Sequence, residues 1–325
     1  MKVLSSELTR SEGGSFGKFL GQSQERDLID ELLRDKRSEN TRRAYAKDLK
    51  DFFSITTGVA PNPQLVAEFL GLERFQAIAL VLQYKASLIN RGLAEATVNR
   101  RLAAIKSLCR FAQKVGKCEW SLEEIQGEKM KSYRDTSGID AEAYSRLLQQ
   151  CDRSTLAGKR NYAILRLLWD NALRRGEIAK LQHSDFDPEA RSLKILGKGR
   201  GTQAETVHLS EKTTAAIVEW LNTAQISTGA LFIALDRAHY GHGLTGNSIY
   251  QIVSETAVKA GIRKHLSPHR CRHSSITDAL EATGGNVREV QKLSRHKKLE
   301  TLMIYDDARE NLQGKVTDLL ANRVE

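Results

Sequence analysis

Apolar residues recur at α-helical spacing along most of the chain, and the stretches where that rhythm fails mark out the architecture. In "ATVNRRLAAIKSLCRFAQKVG" the stripe is Val98, Leu102, Ile105, Leu108, Phe111 and Val115, with Thr97 in reach of a capping position. In "SENTRRAYAKDLKDFF" Tyr45, Leu49, Phe52 and Phe53 share the inner side. Four or five such helices fit before Gly116. The rhythm is absent from residues 1–22, which are Gly/Ser-rich, and it fails again at "CEWSLEEIQGEKMKSYRDTSGID", where mixed charges ending in Ser-Gly read as a connection between domains. Helices return with "AEAYSRLLQQC" and "RNYAILRLLWDNALRRGEIAKL". "SLKILGKGRGTQAETVHL" then reads as strand, Gly-rich turn and strand before helices resume. The expectation is a mainly α protein with a small β-sheet or hairpin: a flexible tail over 1–22, a helical domain over 23–117, a linker over 118–137, and a mixed α+β domain over 138–325 closing in a C-terminal helix. At 325 residues each domain can bury its own core.

Charge narrows the partners. The formal net charge of +10 favours a polyanion. Two helices carry cation-rich polar sides, and the expected phosphate-contacting set is Arg42, Arg43, Lys47, Arg100, Arg101, Lys106 and Arg110. The four cysteines form no CxxC pair and read as reduced, structural thiols, which points to a cytosolic compartment. The opening residues lack an apolar signal core, and nowhere do roughly 18 apolar residues run together, so neither export nor a membrane span is expected.

Three places set cations in apolar context, where a charge is costly unless paired or met by a ligand. Arg174 in "NALRRGEIAKL" stands three residues before Glu177, and from that window alone reads as a structural ion pair. Lys198 in "LGKGRG" sits at a hairpin tip that can reach a ligand or merely face water. The third is "SPHRCRHSS", with Ser267 as N-cap and Pro268 at the first helical position. His269 and His273 then share a face with zinc-like spacing, but Arg272 lies on the same stripe and would repel a metal. A helix N-terminus flanked by His269 and Arg272 suits an anion instead.

In order and spacing these pieces resemble the tyrosine recombinase (phage integrase) family, most closely its compact Xer-like members. The resemblance rests on "ALRRGEI", the Gly-Lys-Gly hairpin, H-x-x-R-H in "HRCRH", and "LSRHKKLETLMIY" ending in a tyrosine, and it spans nearly the whole chain, with "EATVNRRLAAIKSLCRFA" resembling the family's core-binding helices. It implies a helical DNA core-binding domain followed by a catalytic domain of tyrosine-recombinase type. It also implies a catalytic set of Arg174, Lys198, His269, Arg272 and His296 with Tyr305 as nucleophile, Glu177 and His273 in support. Two departures stand out. Arg295 replaces the small residue, commonly glycine, before the second histidine, where it could alter backbone freedom or add a phosphate contact, and Cys271 replaces a commoner leucine.

The residue types suit the implied chemistry. Two guanidiniums, Arg174 and Arg272, can clamp the non-bridging oxygens of a phosphodiester under attack. A tyrosine hydroxyl with an ordinary pKa near about 10 needs a base, for which His269 is the candidate. Lys198 can deliver a proton to the departing 5′ oxygen, and His296 can donate a hydrogen bond to the phosphate. The arginines supply the charge neutralisation a metal would give, so no metal, ATP or other cofactor is expected. The expected function is site-specific recombination of double-stranded DNA with paired half-sites through a 3′-phosphotyrosine intermediate. The alternatives are a tyrosine-dependent nicking topoisomerase and a catalytically silent DNA-binding relative. The short tail before residue 23 leans toward an Xer-like role in chromosome dimer resolution, in a cytoplasmic, nucleoid-associated setting. Leu312, Val316, Leu319, Leu320 and Val324 give the terminal helix an apolar stripe, expected to be donated to a neighbouring protomer in a dimer on each site and a tetramer on two synapsed sites.

Overall fold

The computed structural model describes residues 27–129, 138–197, 204–296, 299–300, 302–303 and 312–323. They fall in two compact units, one within 1–133 and one within 134–325. The molecule is mainly helical with one small antiparallel sheet, as the periodicity and the hairpin pattern predict.

The first unit holds α1 (Leu28–Asp35), α2 (Glu39–Thr57), α3 (Pro63–Leu70), α4 (Arg74–Asn90) and α5 (Glu95–Lys114). Asp27, Ser38 and Asn62 cap the first three through their side chains, and Gly58 ends α2 in the left-handed region at φ 80°. The predicted stripe of α5 is buried at Val98, Leu102, Ile105 and Leu108, while Phe111 is half-buried and Val115 exposed. Thr97 is not the cap: Ala94 holds that position without a side-chain bond, and Thr97 lies inside the first turn. The core is aromatic, with Phe52, Phe53, Phe69, Tyr84 and Trp120 meeting edge to face.

The basic faces are not uniformly solvated. Arg42, Arg43, Lys47 and Arg110 are exposed and Arg100 and Lys106 half-buried, but Arg101 is 7% exposed. Arg101 pairs with Asp51 and also bonds the Tyr84 hydroxyl at 3.4 Å, while Arg100 pairs with Asp48 and the Tyr84 hydroxyl donates to Asp51 at 2.8 Å. Placing Arg101 among the phosphate contacts is therefore corrected. It is a buried counter-charge for two carboxylates of α2, because a carboxylate in that core needs a cation beside it. Arg110 and Arg43 also have acidic neighbours, Glu123 at 2.7 Å and Glu39.

The second unit begins with α6 (Ala141–Gln149) and α7 (Leu156–Asp170), followed by the single turn α8 (Arg175–Ile178) and the sheet β1 (Phe186–Asp187), β2 (Ser192–Leu196), β3 (Ala204–His208). The strands run antiparallel in the order β1-β2-β3, with Leu193 opposite Val207 and Ile195 opposite Glu205. Leu193 and Ile195 point into the core while Lys194 and Leu196 face out, the period-two pattern of a half-buried strand. Then come α9 (Glu211–Ala224), α10 (Gly246–Lys259), α11 (Pro268–Ala282), α12 (Val287–Ser294) and α13 (Leu312–Ala321). α7 is the central helix, packed by α9 and α11, and Tyr144 and Trp220 anchor the core by donating to the carbonyls of Leu165 and Leu231, both at 2.8 Å.

All four cysteines are buried free thiols. Burial pushes Cys151 up to about 11 and Cys271 up to about 12, and raises Cys109 and Cys118 as well. Among the described residues no helix is long and apolar enough to cross a membrane.

Candidate active site

The site is organised by the C-terminal end of α7. The last carbonyls of a helix lack intrahelical donors and carry the negative end of its dipole, so cationic side chains gather there. Ser275 of α11 donates to the Trp169 carbonyl, and Asn171 donates from its amide to the His208 carbonyl at 2.7 Å, tying the helix end to β3. Ala172 follows with φ 46°, a left-handed turn for a residue with a Cβ, and it is fully buried. That turn aims its carbonyl at α11 and starts the segment carrying Arg174.

Arg174 precedes α8, and Glu177 reaches back to it twice. One carboxylate oxygen accepts from the Arg174 backbone N–H at 2.8 Å and the other from its guanidinium at 2.7 Å. The pair predicted from spacing is thus formed, with the Arg174 side chain 32% exposed and that of Glu177 only 3%. Burial alone would raise the Glu177 carboxyl. The nearby Arg295 charge and then the bonds and charge of Arg174 outweigh it and hold Glu177 below the ordinary carboxylate value.

Ser267 caps α11 through its hydroxyl and Pro268 opens it, as the sequence predicts. Arg272 is buried at 2% exposure, with its guanidinium donating to the carbonyls of Ala172 and Ser294. One turn earlier His269 is exposed, and its Nε2 lies 2.8 Å from Nε2 of the buried His273, one ring donating to the other. Ser294 ends α12, and its hydroxyl shares a hydrogen bond with His296 Nδ1 at 3.1 Å; the Gln291 amide donates to the His296 carbonyl at the same distance.

Arg174, Arg272 and His296 are therefore joined through Glu177, Arg295, the Ala172 carbonyl and Ser294, with His269 on the helix that carries Arg272. Lys198 and Tyr305 lie outside the described residues. The residue that sequence reasoning undervalued is Arg295. Its guanidinium is inside the protein, bonded to backbone carbonyls and to Glu177 at 3.2 Å, so it is not an outward phosphate contact. Its departure from glycine was the available signal. Among the described residues no three His, Cys, Asp or Glu side chains group as a metal site.

Comparison with known proteins decides the family. Residues 138–311 match the phage integrase family and residues 27–116 its N-terminal SAM-like domain. The chain belongs to the phage integrase family, the tyrosine recombinases. A tyrosine recombinase of Synechocystis sp. (strain ATCC 27184 / PCC 6803 / Kazusa) is 52% identical over 299 residues, 91% of this chain and 95% of the relative. A tyrosine recombinase of Synechococcus elongatus (strain ATCC 33912 / PCC 7942 / FACHB-805) is 50% identical over 300 residues, 92% of this chain and 94% of the relative. The fold of this recombinase is shared with the XerH site-specific recombinase in a post-cleavage complex with palindromic difH substrate. The TM-score is 0.65 at 20% identity, over 90% of this chain and 84% of XerH. This tyrosine recombinase is accordingly an enzyme of site-specific DNA recombination.

Proposed function

We propose that this recombinase cleaves each DNA strand by attack of the Tyr305 hydroxyl oxygen on the scissile phosphorus. The bond to the 5′ oxygen breaks and a 3′-phosphotyrosine ester forms. His269 takes the tyrosine proton, Lys198 gives one to the departing 5′ oxygen, and a 5′ hydroxyl from another strand reverses the step without ATP. Arg174 and Arg272 clamp the non-bridging oxygens, and His296 donates to them. Glu177 holds Arg174, and His273 holds His269 in one tautomer through their shared bond. The observation that carries this reading is the unbroken set of bonds linking Arg174, Arg272 and His296 about the Ala172 carbonyl and Ser294. A clamp must be preorganised to act on charge that develops only in the transition state.

The DNA is double-stranded with paired half-sites, bound by a dimer and synapsed as a tetramer, with α13 donated between protomers. XerH on a palindromic substrate and a lambda integrase dimer on a core site support the DNA-bound dimer of that assembly. The exposed cations Arg42, Arg43, Lys47 and Arg110, with Arg100 and Lys106, contact the phosphate backbone. The setting is the cytoplasmic nucleoid, with chromosome dimer resolution as the biological role, to be checked by mapping cleaved sites in the protein's own genome.

The test is covalent capture on a randomised library of nicked duplexes. Wild-type protein is expected to trap a defined sequence, in EDTA as well as without it. Tyr305→Phe is expected to bind that sequence and trap none. Adduct at wild-type level in Tyr305→Phe would move the nucleophile elsewhere, and capture without sequence preference would favour a topoisomerase.

A further inference from the structure

Arg295 stands where a side chain is costly. At the end of α12 its backbone has φ 56° and ψ 35°, the left-handed region that glycine occupies freely. The side chain is nevertheless ordered inward and is 8% exposed. One terminal nitrogen donates to the carbonyls of Asn171 at 3.0 Å and Leu293 at 2.7 Å; the other donates to the carbonyl of Ala172 at 3.3 Å and to Glu177 at 3.2 Å. The Ala172 carbonyl also receives Arg272, and the Glu177 carboxylate also holds Arg174.

This arrangement has an electrostatic consequence. A carboxylate paired with one guanidinium in a buried place is close to neutral, so Arg174 bonded to Glu177 alone would offer a phosphate little net charge. A second guanidinium on the same carboxylate restores a net positive charge to the trio. Burial disfavours the Arg295 charge and Glu177 is the largest influence that favours it, with smaller opposed contributions from Arg174 and Glu205. We propose that Arg295 is a positioning residue for strand cleavage. It neutralises Glu177 from behind and so leaves Arg174 a net cation toward the scissile phosphate, and it pins the Ala172 carbonyl that orients Arg272. The proposal rests on the reading of Arg174 and Arg272 as the phosphate clamp.

A purely structural pin and a charge-balancing residue differ in how they respond to removal of the carboxylate. The probe is the nicked duplex that wild-type protein captures, with adduct formation followed in a single turnover and affinity measured on the intact duplex. R295M keeps the backbone demand and removes the charge. It is expected to slow cleavage about tenfold or more with the Kd unchanged, and R295K is expected to recover most of that loss. The deciding variant is R295M/E177Q. With Glu177 neutral, Arg174 regains its charge, so the double variant is expected to cleave faster than R295M. Should R295M fail to fold, R295G, which relieves the left-handed backbone, replaces it alone and with E177Q.

Wild-type cleavage in R295M, or a double variant slower than R295M with no recovery in R295K, would overturn the proposal and leave the recombinase reading intact. Adduct in Tyr305→Phe, or none in wild type, would overturn the underlying reading and this inference with it.

Discussion

Arg101 and Lys47 carry the same charge in the same unit and are expected to act oppositely. Arg101 is buried against Asp48 and Asp51, whereas Lys47 is exposed. Removing Arg101 takes one cation from buried Asp48 and half-buried Asp51, which keep Arg100 and Arg91, so Arg101→Ala is expected to destabilise the protein by about 1–3 kcal/mol in urea unfolding. Lys47→Ala is expected to leave unfolding unchanged and to reduce the slope of log K against log salt for DNA binding by about 1. A stable Arg101→Ala variant with weakened DNA binding would return that arginine to the interface. The sequence shows a polar side without an acid from Ala96 onward, and in α5 the one acid, Glu95, stands in the first turn. The acids come from α2, and periodicity carries no record of which helices become neighbours. The Arg174–Glu177 pair and the His269–His273 contact were more legible, because Arg174 and Glu177 meet within one turn and His269, His273 and Arg272 share one helix face.

Among elements, the end of α7 carries the most consequence, since its last carbonyls and the Ala172 turn receive Ser275, Arg272 and Arg295. The helices and the β2–β3 pairing were readable from periods of 3.6 and 2 and from capping residues such as Ser267. The left-handed backbone at Ala172 and Arg295 was not, since neither is the glycine that ordinarily marks such a turn. The carboxylate held there gives a pH signature. Glu177 titrates lower when folded than when unfolded, so its contribution is full above the unfolded value near about 4.3 and is lost as pH falls through the folded value. Glu177→Gln is therefore expected to melt below wild type at neutral pH, and the gap is expected to close in acid. A gap constant from neutral to strongly acidic pH would mean that the charge of Glu177 does not stabilise the fold.

At the scale of the molecule, α13 departs from ordinary burial. Val316, Leu319 and Leu320 are 57%, 58% and 55% exposed, where the sequence pattern demands a covered stripe; the side chains of Leu312 and Val324 lie outside the described residues. Deleting residues 312–325 is expected to leave half-site binding and melting unchanged and to reduce cooperative filling of a full site in a mobility-shift titration. Unchanged cooperativity with a lower melting temperature would show that the helix packs on its own domain. The buried cysteines make this region convenient to watch. With every native thiol buried and raised above its ordinary pKa, maleimide dyes will react slowly with the wild-type chain. A cysteine introduced at Val316 would then be the principal site of attachment, and its fluorescence would report whether α13 passes from water into a neighbouring protomer.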